Sequence, residues 1–213
     1  MTDMFYWLFE QLYLRAKVKI EEADRKRFEG ETLPEGIDRT EGAYLSDGNP
    51  LHRFNLYKPH LCPAEKTMPL VIDIHGGGWI CGDKDTNNNF CMHLAAAGNV
   101  VAALSYRTID CCTLREQIQD IFAFLHRLSD HTVQYGIDPE CVFLTGDSAG
   151  AQLSLLAYCV NQYTEFQKLF SVTPVNFSFH GLILNHGVCY LNEAASIPRF
   201  KILSSCFLNP GLQ

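Results

Sequence analysis

Apolar residues fall into short unbroken runs ending in glycine or charge, alternating with longer stretches where they recur every three or four positions. Residues 70–74 (Leu-Val-Ile-Asp-Ile), 99–105, 141–144 and 179–184 read as strands, and their continuous apolar character predicts burial on both faces of a sheet. Residues 83–97 read as a helix stopped by Gly98, and 151–158 as another. Residues 113–128 read as a third, with Leu114, Ile118, Ile121, Phe122, Leu125 and Leu128 on one face. The alternation of strand and helix predicts a parallel sheet with right-handed crossovers. Upstream, residues 39–45 and 53–57 read as two strands joined by the turn Ser46-Asp47-Gly48-Asn49-Pro50. Phe5, Leu8, Phe9, Leu12, Ala16 and Ile20 lie at helical spacing and predict an amphipathic helix to about Lys26. Leu33-Pro34-Glu35-Gly36 is a turn, so the expected organisation is an N-terminal helical segment, 1–34, and an α/β core, 35–213.

Composition narrows this picture. At 213 residues and 47% apolar content the chain can bury a substantial core. A net charge of −7 with no basic stripe argues against nucleic-acid binding. Nine cysteines lack metal-type spacing, their one close pair being Cys111-Cys112, and reduced thiols in a cytoplasm are expected. Asp3 and Glu10, with Arg15, Lys17 and Lys19 following, argue against a signal peptide or membrane anchor.

Candidate chemistry sits at the end of the 141–144 run, in Gly146-Asp147-Ser148-Ala149-Gly150. A serine between glycines, driven from a strand into a helix, is a nucleophile elbow: the turn strains the serine backbone, and the glycines let strand and helix pass closely. The helix start places positive potential at Ser148, and the Ala149 N–H suits a developing oxyanion. About 70 residues upstream, the 70–74 strand enters His75-Gly76-Gly77-Gly78-Trp79, where backbone N–H groups can turn inward without side chains in the way.

These two motifs resemble the hormone-sensitive-lipase-like branch of the α/β-hydrolases, a group of carboxylesterases, and Tyr106-Arg107 is similar to a pair that family carries. The resemblance runs from about Ile37 to Leu191. It implies an α/β-hydrolase fold with helices on both faces of a mostly parallel sheet. Ser148 would be the nucleophile, the N–H groups of Gly77, Gly78 and Ala149 the oxyanion hole, and His75 a prop for the glycine loop. The N-terminal helix would form part of a cap over the acyl pocket, with packing against the core or against a partner chain as the alternative. The implied substrates are small-molecule esters with short or medium acyl chains, and no metal or organic cofactor is implied.

A serine hydroxyl needs a histidine to take its proton and an acid to orient the imidazole. In this fold the order is serine, acid, histidine. After Ser148 the acids are Glu165 and Glu193 and the histidines His180 and His186. On a continuous helix Glu165 would lie about 25 Å from the serine. His186 follows the carboxyl end of a predicted strand and is the better candidate base, the alternative being a polar residue lining a pocket. The family's triad acid and histidine are otherwise not seen. The expectation is therefore a C-terminally incomplete core, completed by a further segment or by association as a homo-oligomer. A non-catalytic binder on a hydrolase fold, such as the gibberellin receptors, and an inactive esterase relative are the rival readings. Asp73 reads as a polar anchor for the glycine loop and Asp147 as ordering local backbone. Trp79 stays open between pocket lining and core, and His52, His60, His93, His126 and His131 are expected on surfaces or helix faces.

Overall fold

The computed structural model describes residues 11, 14, 15, 17–23, 26, 29–60 and 67–189. Six strands, β1 (Ile37–Ala43), β2 (Arg53–Pro59), β3 (Met68–Ile74), β4 (Val100–Leu104), β5 (Ile137–Asp147) and β6 (Phe179–Asn185), make one sheet in the order β1-β2-β4-β3-β5-β6. β4, β3, β5 and β6 run parallel, while β2 lies antiparallel to both β1 and β4. The connecting helices are α1 (Asn88–Ala96), α2 (Leu114–Ser129), α3 (Thr132–Tyr135), α4 (Ala149–Gln162) and α5 (Thr164–Phe170).

Alternation along the strands explains the two-sided burial. Leu70, Ile72 and Ile74 of β3, Val100, Ala102 and Leu104 of β4, and Val142 and Leu144 of β5 join the larger core with α2 and α4. Val71, Val101 and Ala103 face the other way and pack with Cys91 and Ala95 of α1. Each central strand thus contributes apolar area to both layers, the dominant favourable term in holding them together.

Several boundaries differ from the sequence reading. The helix expected from residue 83 begins at Asn88, because Asp83 Oδ1 accepts from the Asp85 N–H and Thr86 Oγ1 from the Asp83 N–H, holding the preceding residues in turns. β5 begins at Ile137, and Asp138-Pro139-Glu140 forms an irregularity within it, where the pairing with β3 shifts register after Pro69. The helix after the elbow stops at Gln162, and Tyr163, with φ −119 and ψ 121, breaks it before α5. β6 is half-exposed rather than buried and has no neighbour on its outer side among the described residues. Residues 17–23 are helical. The expected contacts of Phe5, Leu8, Phe9, Leu12 and Ala16, and the position of Glu193, lie outside the described residues. No helix among the described residues is long and apolar enough to cross a membrane.

Candidate active site

β5 delivers the elbow and β3 delivers the glycine loop, side by side at the same end of the sheet, since Ile74 pairs with Gly146. Ser148 stands at the apex with φ 52 and ψ −112, a conformation that a residue with a Cβ enters only under strain. Its N–H donates to the Asn185 carbonyl at 2.8 Å, tying the apex to the end of β6. The spacing of the motif has a direct steric cause: a Cβ on Gly150 would stand 1.9 Å from the Ile74 carbonyl oxygen, and one on Gly146 2.6 Å from the same atom. Ser148 is partly exposed, and its hydroxyl makes no capping bond to α4.

The glycine loop is wound left-handed through Gly77 (φ 98), Gly78 (φ 61) and Trp79 (φ 64). Two of its carbonyls are occupied: Gly77 O accepts from the N–H groups of Ile80 (3.1 Å) and Cys81 (3.2 Å), and Trp79 O from the Ile109 N–H (2.9 Å). The N–H groups of Gly77, Gly78 and Ala149 have no acceptor among the described residues. Three free donors at a helix start and an adjoining turn are suited to an anionic oxygen.

Polar side chains fix this arrangement from below. Asp147 Oδ1 accepts from the Gly76 N–H (3.0 Å) and from the Asn87 amide (2.9 Å), which also donates to both oxygens of buried Asp73 (3.1 and 3.3 Å). Asp147 thus anchors the glycine loop directly, the role the sequence suggested for Asp73, whereas Asp73 is joined to Asp147 through the Asn87 amide. Buried His75 stacks on Tyr106 at 4.2 Å, and its Nδ1 pairs with the Gly76 carbonyl at 2.8 Å. Burial lowers the His75 pKa, which favours the neutral ring, so Nδ1–H is the donor in that bond. Tyr106 O–H in turn donates to the His75 carbonyl at 2.9 Å, and Arg107 forms a forked pair with buried Asp120.

Trp79 belongs to the core, 2% exposed, and its indole N–H donates to Gln152 Oε1 at 3.2 Å. His52 overturns the expectation of a surface role. It is 4% exposed, with Nδ1 2.6 Å from Asp47 and Nε2 3.4 Å from Asp120. Two positions that bond the glycine loop and the elbow went unnoticed in the sequence: Asn87, first of three consecutive asparagines at a helix start, and Gln152, a buried polar residue near the start of α4.

Of the candidate triad members, Glu165 and His180 lie away from the elbow, whereas His186 follows Asn185, whose carbonyl accepts from the Ser148 N–H. Glu165 lies in α5, beyond the far end of α4, which alone spans about 21 Å. His180 is exposed near the start of β6, its Nδ1 3.1 Å from the Ser178 carbonyl. His186, with φ 52, follows β6 at the elbow's end of the sheet. It lines a cavity of about 200 Å³ with Asp73, Asn87, Phe90, Gly146, Asp147 and Asn185, on the α1 side and without Ser148. No hydrogen bond joins His186 to Ser148 among the described residues. The described residues hold no cluster of three or more His, Cys, Asp or Glu that could bind a metal.

Over the glycine loop lies the N-terminal helical stretch. Ile20 Cδ1 would stand 3.6 Å from a Cβ on Gly78, and Lys17 Nζ is 3.7 Å from Asp110 Oδ2 in the loop after β4.

Comparison with known proteins converges on one group. The profile of the BD-FAE family matches residues 54–196. Esterase B from Lactobacillus rhamnosis superposes with a TM-score of 0.89 at 36% identity, over 98% of this chain and 66% of that one. The same enzyme has been solved inhibited by a C4-C4 sn-3 tributyrin phosphonate, with a TM-score of 0.86 at 36% identity over 96% of this chain and 66% of that one. Esterase LipI of Mycobacterium tuberculosis is 32% identical over 100 residues, 46% of this chain and 31% of LipI. The chain therefore spans about a third of the length of LipI and about two thirds of esterase B.

Proposed function

The chain belongs to the BD-FAE family of hormone-sensitive-lipase-like α/β-hydrolases, and on that premise we propose that it carries the nucleophile and oxyanion hole of a serine carboxylesterase acting on short- to medium-chain acyl esters. The observation that carries this reading is the strained Ser148 together with the N–H groups of Gly77, Gly78 and Ala149, which have no acceptor among the described residues.

In the proposed reaction the Ser148 oxygen attacks the ester carbonyl carbon as a general base takes its proton. The carbonyl oxygen gains the negative charge, and the three N–H groups accept it as hydrogen-bond donors already in place, so little reorganisation is needed as charge develops. Collapse of the tetrahedral species breaks the bond to the alcohol oxygen, which leaves as the proton is returned. Water then repeats the sequence on the acyl-enzyme, releasing the acid and restoring Ser148. One ring nitrogen in each of His52, His60, His75, His126 and His180, and both in His131, are engaged with other groups, while Nε2 of buried His52 and of buried His75 has no hydrogen-bond partner among the described residues. His186, which follows the Asn185 whose carbonyl accepts from the Ser148 N–H and lines the cavity beside Asp147, is the general base we assign within this chain. The N-terminal segment acts as the cap, with Ile20 forming a wall against the glycine loop.

Hydrolysis of p-nitrophenyl acetate, butyrate, octanoate and palmitate tests this reading. The expected kcat/KM is highest between acetate and octanoate and falls at palmitate. Ile20→Ala should raise the octanoate-to-acetate ratio by about 10-fold, the scale of one or two methylenes in an apolar pocket. Absence of turnover on every ester by the folded chain would overturn the enzymatic reading, and an unchanged ratio in Ile20→Ala would remove the cap from it.

A further inference from the structure

The oxyanion hole proposed above is split between two elements. Gly77 and Gly78 belong to the loop after β3, whereas Ala149 opens α4. Donors on separate elements can act on one oxygen only if something sets their separation, to within a fraction of an ångström.

Two side chains tie the loop to the elbow, one on each side of the glycine pair. On the near side the Gly76 N–H donates to Asp147 Oδ1 at 3.0 Å, one residue before Ser148. On the far side the Trp79 indole donates to Gln152 Oε1 at 3.2 Å, four residues after it. Gln152 is also tied to the nucleophile through its backbone, since its N–H donates to the Ser148 carbonyl at 3.3 Å. Gly77 and Gly78 are thus suspended between two anchors that both lead back to Ser148.

The far anchor has the harder task. Trp79 is a bulky residue held at φ 64, which costs about 1–3 kcal/mol and persists only where surroundings enforce it. Its indole is buried, so the N–H needs an acceptor. Gln152, in the opening turns of α4, where Ala149, Gly150, Ala151, Leu153 and Ser154 are all buried, supplies that acceptor.

We propose that Gln152 is a positioning residue, whose side-chain bond to Trp79 holds Gly77 and Gly78 in register with Ala149 around the reacting oxygen. It rests on the esterase reading for its kinetic consequence, and on the loop geometry alone for its structural one.

Gln152→Met keeps the length of the side chain and removes the acceptor; Trp79→Phe keeps the ring and removes the donor. The expected kinetic result on p-nitrophenyl butyrate is a kcat lowered by roughly 10–100-fold with KM changed less than about 3-fold, as for a misplaced oxyanion donor. The double variant should be no worse than either single one, because both remove the same bond. Hydrogen exchange supplies a readout independent of activity. The amides of Ile80, Cys81 and Ile109, bonded to loop carbonyls, should exchange at least about 5-fold faster in each folded variant while core β3 amides keep their protection. Unchanged exchange at those three amides, or additive losses in the double variant, would overturn the proposal. A wild-type chain without turnover would overturn the esterase reading, and the exchange result would then decide this inference by itself.

Discussion

Replacing Gly150 with alanine is expected to cost the protein most of its stability. The added Cβ would lie 1.9 Å from the Ile74 carbonyl oxygen and 2.5 Å from that of His75. Both are backbone atoms, one of them in the central strand β3, so no side chain can rotate away. Relief requires α4 to move off the sheet, taking Ala151 and Leu153 out of the core. A loss of roughly 4 kcal/mol or more is expected, against total stabilities of about 5–15 kcal/mol for domains of this kind. Thermal unfolding of the purified variant should show a fall of about 10 °C or more, or no cooperative transition. Gly48→Ala is the matching control: φ is 77 but nothing lies within 4 Å, so only the local strain of about 1–2 kcal/mol should appear. Equal losses in the two variants would mean that close passage of strand and helix is not what the glycine serves.

Ser148→Ala should have the opposite profile, sparing stability and removing catalysis. The hydroxyl makes no capping bond and alanine keeps the Cβ, so unfolding should shift by less than about 1 kcal/mol. Ester turnover should fall by roughly 10⁴-fold or more, because the residue that forms the covalent intermediate is gone while the N–H donors remain. Full turnover in Ser148→Ala, measured on p-nitrophenyl butyrate, would place the nucleophile elsewhere.

What was legible in the chain was what stereochemistry forces on it. Gly146 and Gly150 could be read because only glycine survives where the two backbones meet, and the β3 and β4 runs because both faces of each strand need apolar cover. Local competition blurred the boundaries: the Asp83 and Thr86 side chains hold a turn where helical periodicity began, and Pro139 sits inside a strand at an irregularity rather than ending it. The break at Tyr163 has no glycine or proline to announce it. His52 and Gln152 were illegible for a different reason. Their partners, Asp120 and Trp79, are 68 and 73 residues away, so nothing local distinguishes a buried, bonded side chain from a solvated one. The candidate site divides along the same line: Ser148 and the glycine loop announce themselves by motif, whereas the ties that hold them together do not.

The measurement that bears most directly on Ser148 as an activated nucleophile is reaction of the folded 213-residue chain with a fluorophosphonate, the modified residue being located by peptide mass spectrometry. Stoichiometric modification at Ser148, absent from Ser148→Ala and accompanied by ester turnover, is the expected result. A folded chain that stays unmodified would contradict it, leaving a hydrolase fold that binds small molecules or has lost its chemistry.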